Sequence, residues 1–291
     1  MARSTGEMAI PARTVQHPEA VAKHVASSSW LELLERVGYV VRGVLYAVMG
    51  SLAFGLAVGV GGMATDQSGS LVILGGGPLG KGMLLAFAVG LGGYSVWGFV
   101  RAVFDPLHRG DDPPGIAERL GFAWSGIAYA GLAVFALELF AGAGQAASHD
   151  STRSTIARFF AYPAGHWVVV AIGLVSISVG LWQFLEAKTA RFKKDLKREQ
   201  MTDAEEKFVV GLGRFGMLSR GVTFTLVGWF ILQAGLHRDP NRVQGFSGAF
   251  TYLLSQPYGH LLLGIVAAGF VALGLHSFAA ARWMRLLGSR N

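Results

Sequence analysis

Six runs of the sequence, 38–60, 80–104, 120–143, 165–187, 215–236 and 258–281, are each long and apolar enough to cross a bilayer. Lipid offers no partner to an unpaired backbone N–H or C=O, so such runs cross as helices or as a closed barrel. None shows the strict alternation of a barrel strand. The chain therefore reads as an all-α integral membrane protein with six transmembrane helices. The alternative is a large soluble protein with buried core helices, and composition argues against it. Only 15% of the residues are charged, against roughly 25% in an ordinary soluble domain. The chain has no cysteine, which excludes thiolate metal sites, iron–sulfur clusters and a cysteine nucleophile.

Positive charge assigns a side. Basic residues gather in the N-terminal segment, in the second connection with Arg101, in the connection from Lys188 onward and at the C-terminal end. Five of the 25 fall on the other side: Lys81, Arg153, Arg158, Arg238 and Arg242. This bias predicts both termini in the cytoplasm. It also accounts for the formal charge of +7 without a nucleic-acid partner. Residues 1–29 read as a cytoplasmic tail, because no apolar core of a secretory signal precedes Trp30. Ser29-Trp30-Leu31-Glu32 has capping-box spacing, which predicts a helix start there.

The sequence repeats itself three times. Arg36-Val37-Gly38-Tyr39 with Arg42-Gly43-Val44-Leu45-Tyr46 opens the first span. Arg119-Leu120-Gly121-Phe122 with Ser125-Gly126-Ile127-Ala128-Tyr129 opens the third, and Arg214-Phe215-Gly216-Met217 with Arg220-Gly221-Val222-Thr223-Phe224 opens the fifth. A second mark opens the even spans: Pro78-Leu79-Gly80-Lys81, Pro163-Ala164-Gly165-His166 and Pro257-Tyr258-Gly259-His260. The first Arg precedes the Pro by 42, 44 and 43 residues. Regular self-similarity of this kind means repeated supersecondary units. The expectation is three tandem two-helix hairpins, 30–109, 113–190 and 208–285, with a charged connection at 191–207 and a C-terminal tail at 286–291. Because each begins and ends on one side, they are parallel repeats about an axis along the membrane normal; a pseudo-threefold bundle is the economical packing, and a less symmetric row of hairpins is the alternative.

Each mark has a physical reading. The first Arg lies at the boundary, where its stem can follow lipid and its guanidinium can reach phosphates. Small residues follow at helical spacing: Gly43, Ala47 and Gly50; Gly126, Ala130 and Ala133; Gly221, Thr225 and Gly228. Such stripes let backbones approach closely. A neighbouring stripe, Tyr39, Arg42 and Tyr46, places a cation between two aromatics. The short apolar pieces before each Pro read as interfacial half-helices, and the Pro as the first turn of the even helix. The basic run beyond Lys188 reads as a continuation of the fourth helix, with Thr202-Asp203-Ala204-Glu205 as a second capping box.

The Arg-x-Gly-Tyr-x-x-Arg-Gly-x-x-Tyr opening and the Pro-x-Gly-[Lys/His] start resemble the bacterial membrane proteins of domain of unknown function 1206, over roughly residues 30–285. The second copy departs from the pattern, with Ser125 in place of the second Arg. The resemblance implies tandem two-helix units, usually three, in a bacterial plasma membrane. It implies no activity, cofactor or catalytic residue.

Ionisable groups within the spans are the candidates for chemistry, because charge in lipid is costly. Arg42 and Arg220 lie about two turns into their helices. They read either as ligands for an anion or lipid headgroup, as partners of Glu186, or as snorkelling groups stacked on Tyr39, Tyr46 or Phe224. Arg101 belongs with them at the basic end of the second span. Glu138 and Gln233 occupy equivalent positions near the outer ends of the third and fifth spans, and either line a cavity or cross-link helices. His166 and His260 are matched by Lys81 in the first copy, which disfavours a three-histidine zinc site. His276 lies sixteen residues, ~24 Å, from His260, too far to bracket one haem with it. Asp111-Asp112-Pro113-Pro114 reads as a turn into the third span. No phosphate-binding glycine loop, His-Glu-x-x-His motif or nucleophile elbow is present.

Three functional classes follow. The first is a non-enzymatic membrane protein packing with lipids, anionic lipids included, or with other membrane subunits, and it is preferred. The second is a small-solute or proton-coupled transporter using Glu138 and Gln233. The third, an enzyme acting on lipid, lacks a nucleophile. No cofactor is expected.

Overall fold

The computed structural model describes residues 29–105, 110–143 and 151–284. The predicted tails, 1–29 save its last residue and 286–291, lie outside them, as do the side chains of Trp30 and Glu32 and the residues Arg109, Arg285 and Arg290. Six long apolar helices are present: α1 (Ser29–Val58), α3 (Gly80–Phe104), α4 (Pro113–Phe140), α6 (Gly165–Thr189), α7 (Asp203–His237) and α9 (Gly259–Trp283). Three short helices precede the even spans: α2 (Gln67–Gly75), α5 (Ser151–Ala157) and α8 (Phe246–Leu254). No strand is named among the described residues; one isolated bridge pairs Leu196 with Met284. The fold is the expected all-α membrane protein built three times over.

The helices overrun some expected spans and fall short of others. α1 and α7 begin at Ser29 and Asp203, well before the apolar runs, because their first turns stand outside the lipid-compatible segment. α4 begins at Pro113, capped by Asp112, whose carboxylate accepts from the Gly115 N–H at 3.3 Å, and it ends at Phe140 rather than at 143. Thr202 and Glu205 form the second capping box, each accepting from the other's backbone N–H.

The connection after α6 corrects the reading of a continued helix. Ala190 turns left-handed at φ 49°, and two 3-10 turns, Arg191–Asp195 and Arg198–Gln200, follow. Glu186 accepts from the Phe192 N–H at 2.8 Å and closes the turn. Phe192 and Leu196 are buried among Val209 and Val210, so the connection folds back to hide apolar side chains that an extended helix would have left in water.

The Pro-x-Gly mark is a reversal, and the proline does not start the helix. In all three copies the Gly N–H donates to the carbonyl three residues earlier: Gly80 to Gly77 at 2.9 Å, Gly165 to Tyr162 at 3.0 Å and Gly259 to Gln256 at 2.8 Å. Proline occupies the second position of this turn, where its fixed φ belongs. A Cβ on the glycine would collide with the carbonyl of Gly75, Phe159 or Leu254 in the half-helix just completed. The turn therefore needs both residues.

The six long helices pack as an open row, α4, α3, α1, α9, α7 and α6, each against the next. The closest seams join neighbouring repeats: α9 to α1, α3 to α4 and α6 to α7. Contacts within a repeat are looser between α1 and α3 and between α7 and α9. Among the described residues, α4 and α6 form no packed interface, so the second hairpin stands open and its two helices are the ends of the row. The core sits where the other spans meet, around Leu45, Met49, Leu91, Leu263 and Phe270.

Candidate functional site

The small-residue stripes lie in the seams between repeats. A Cβ on Gly43 would stand 2.6 Å from Phe278 and one on Gly50 2.7 Å from the Val271 nitrogen, with Gly274 opposite Ala47. Gly126 faces the Ser95 carbonyl, whose own hydroxyl donates to the Gly126 carbonyl at 2.7 Å. On the same α4 stripe Ala133 is buried and Ala130 half-buried. Gly221, Thr225 and Gly228 meet Gly180 and Gly173 of α6. These contacts bring opposed backbones together, which is how helices associate where lipid removes the hydrophobic drive between them.

The first-mark arginines also turn to a neighbouring repeat. Arg36 donates to the Ala281 carbonyl at 2.7 Å at the end of α9, and Arg119 donates to the Ala102 carbonyl at 2.9 Å at the end of α3. The last carbonyls of a helix lack internal partners and carry partial negative charge, so a guanidinium suits them. Reaching lipid phosphates was the expectation for these residues; in two repeats of three they cap a helix instead.

Helices α1, α3, α4 and α7 bring arginines and tyrosines together. Arg42 Nη1 donates to the Tyr94 hydroxyl at 2.7 Å, and its guanidinium lies 5.4 Å from the Tyr46 ring centre and 5.7 Å from that of Tyr94. The cation is thus held between Tyr46 and Tyr94, not between Tyr39 and Tyr46; Tyr39 packs edge-on to Tyr94 at 5.3 Å. Tyr94 meets Tyr129 at 4.8 Å, and the hydroxyls of Tyr46 and Tyr129 are 3.4 Å apart. From α7, Arg220 lies 6.0 Å from the Tyr46 ring and 5.2 Å from that of Phe224. Among the described residues neither arginine pairs with a carboxylate, and the buried Nε of each has no hydrogen-bond partner.

A second buried cation has a counter-charge, although its Nε, like those of Arg42 and Arg220, has no hydrogen-bond partner. Arg101 Nη2 meets Glu35 Oε1 at 2.5 Å, with side chains 7% and 1% exposed, and its guanidinium lies over Trp97 at 4.8 Å and Phe122 at 5.3 Å. Arg101 is thus a buried ion-pair member. Glu35 was missed in the sequence, although Glu-Arg recurs at Glu35-Arg36 and Glu118-Arg119 and was a usable signal. Tyr94 has no counterpart in the other copies and left no signal.

The remaining candidates stand apart from the cluster. Glu186, occupied by the Phe192 N–H, is not the partner of Arg42 or Arg220. Glu138 lies in the last turn of α4 and is exposed, on the face opposite Tyr129 and Ala136. Gln233 is half-buried on α7, and α4 and α7 share no packed interface. Neither side chain makes a hydrogen bond to another helix among the described residues, so the structure does not bring the pair to a shared site. His260 donates to the Ala57 carbonyl at 2.7 Å, and His276, buried, donates to that of Val209 at 3.1 Å.

Comparison with known proteins agrees with this triplicate architecture. The family model of the Domain of Unknown Function DUF1206 matches three times, at residues 37–105, 120–190 and 215–284. An uncharacterized protein of Bacillus subtilis (strain 168), YxxB, is 31% identical over 248 residues, which cover 85% of this chain and 89% of the relative. No solved structure matches. Three matches in register with the three structural repeats, and a relative aligned over most of both chains, place this chain in the DUF1206 family.

Proposed function

We propose that the protein is a non-enzymatic component of the bacterial plasma membrane, with both termini cytoplasmic, that works by packing with lipid or with other membrane subunits. The open second hairpin carries this reading. Only 22% of the most apolar stretch of α4 and 17% of that of α6 is buried, against 39% or more in the other spans. The faces left over are apolar, with Leu120, Trp124 and Ile127 on α4 and Trp167, Leu174 and Leu181 on α6. Helices in lipid associate by close shape and not by apolarity, so an opening of this kind suits acyl chains or a further helix. Orientation rests on the basic face, which holds Arg36, Arg101, Arg119 and the run from Lys188 to Arg198. Purification from native membranes in a mild detergent, followed by mass spectrometry of what is retained, tests the reading. Bound lipid or a stoichiometric second protein is expected; a bare chain overturns it.

A further inference from the structure

Arg42 and Arg220 flank one aromatic ring inside the bundle, and their charges are not neutralised by any carboxylate pair among the described residues. The nearby acid on α1, Glu35, is already engaged by Arg101. Two guanidiniums without a counter-charge are costly to keep within a membrane protein, and the cost falls when an anion joins them. The aromatic faces satisfy part of each cation, but the buried Nε atoms still point at no acceptor. Around them stand the hydroxyls of Tyr94, Tyr46 and Tyr129, groups that donate as readily as they accept.

The repeat sharpens this. Arg42, Ser125 and Arg220 occupy one repeat position, and Tyr46, Tyr129 and Phe224 the position one turn further on. At the position of the third guanidinium α4 carries the small, half-buried Ser125, so the repeats supply two cations and not three. Two cations on one tyrosine ring, with the Tyr94 hydroxyl on Arg42, fit a multi-oxygen anion better than a single carboxylate, because each fork can take its own pair of oxygens. Arg42 is six residues, ~9 Å along the helix, beyond the boundary residue Arg36, within reach of a headgroup drawn in from the basic face.

We infer that Arg42 and Arg220, with the tyrosine hydroxyls around them, bind a phosphate group. The group has two sources, a phospholipid headgroup entering between α4 and α6 or inorganic phosphate from the basic face. Only the first rests on the packing function proposed above.

The test uses the full chain, delipidated in neutral detergent, with thermal unfolding and affinity followed as phosphatidylglycerol or sodium phosphate is added. Arg42→Gln and Arg220→Gln are compared with wild type and with the surface variant Lys194→Gln. Wild type and Lys194→Gln are expected to gain melting temperature with one ligand or both, while each arginine variant loses the gain and binds ~10-fold or more weakly. A gain with both ligands identifies the phosphate group itself as sufficient; a gain with phosphatidylglycerol alone identifies the lipid form. Tyr129→Phe, which removes only a hydroxyl, keeps the test open if an arginine variant fails to fold, and it too is expected to weaken binding. Equal gains in wild type and all site variants, or no gain with either ligand, overturn the inference. If wild type retains native lipid but the site variants respond unchanged, the site is wrong and the packing reading stands. If wild type retains nothing yet binds phosphate through these arginines, the reverse holds.

Discussion

Arg101 is paired with Glu35 and laid over Trp97, Arg36 and Arg119 end on helix carbonyls of a neighbouring repeat, and Arg42 and Arg220 share the ring of Tyr46. These are three different answers to the same cost of placing a guanidinium in or beside lipid. They differ in what a mutation would release. Removing one partner of a buried pair leaves the other charged and unanswered, so Glu35→Gln or Arg101→Met alone is expected to cost about 3–5 kcal/mol. The double variant Glu35→Leu/Arg101→Met should recover most of that loss, because no uncompensated charge remains. Melting temperatures of the two singles and the double in one detergent check this, and a double no better than the worse single would sink it. The arginines were visible in the sequence as repeated marks. Which partners they meet was not, since Tyr94 left no mark and the Glu35 marked by the repeated Glu-Arg reaches Arg101 only through packing of helices remote in the chain.

At the scale of the element, glycine has two roles that substitution separates. In a seam it admits a neighbouring backbone: a Cβ on Gly228 would lie 2.7 Å from the Ile177 nitrogen. Gly228→Leu is therefore expected to destabilise by about 3 kcal/mol and to part α6 from α7. Gly211, on the same helix α7, has nothing within 4 Å of a Cβ. There Gly211→Ala should be neutral or stabilise by up to ~1 kcal/mol, since the helix gains propensity without a clash. Thermal unfolding of both variants checks the contrast, and similar losses in both would refute the seam assignment. Spacing alone disclosed the stripe Gly221, Thr225 and Gly228, because a helix puts such positions on one face. The left-handed break at Ala190 escaped, because the basic run after it carries no glycine or proline to mark a stop; burial of Phe192 and Leu196 sets it.

At the scale of the whole molecule, the first and last spans meet, Gly43 against Phe278 and Gly274, in the middle of the row, and α4 and α6 are its ends. Both ends of the described chain fall on the basic face, where Arg36 reaches Ala281. The absence of native cysteine makes orientation directly measurable. Single replacements Met63→Cys and Ser255→Cys, both at exposed positions opposite the basic face, are expected to react with a membrane-impermeant maleimide in intact cells. Asp111→Cys and Gln200→Cys should react only after the membrane is opened. Labelling in the inverse pattern would turn the protein over.

Lipid makes its demands within each segment: every backbone group must be satisfied along a run of about 20 apolar residues. The number of spans, their helical form and the threefold recurrence of their marks were therefore readable from residue order. Which helix each glycine stripe faces was not. Between helices in lipid the choice of partner falls to shape and to a few polar contacts, and those join residues as distant as 43 and 274. The same contacts set Arg42, Tyr94, Tyr129 and Arg220 side by side and left the second hairpin apart.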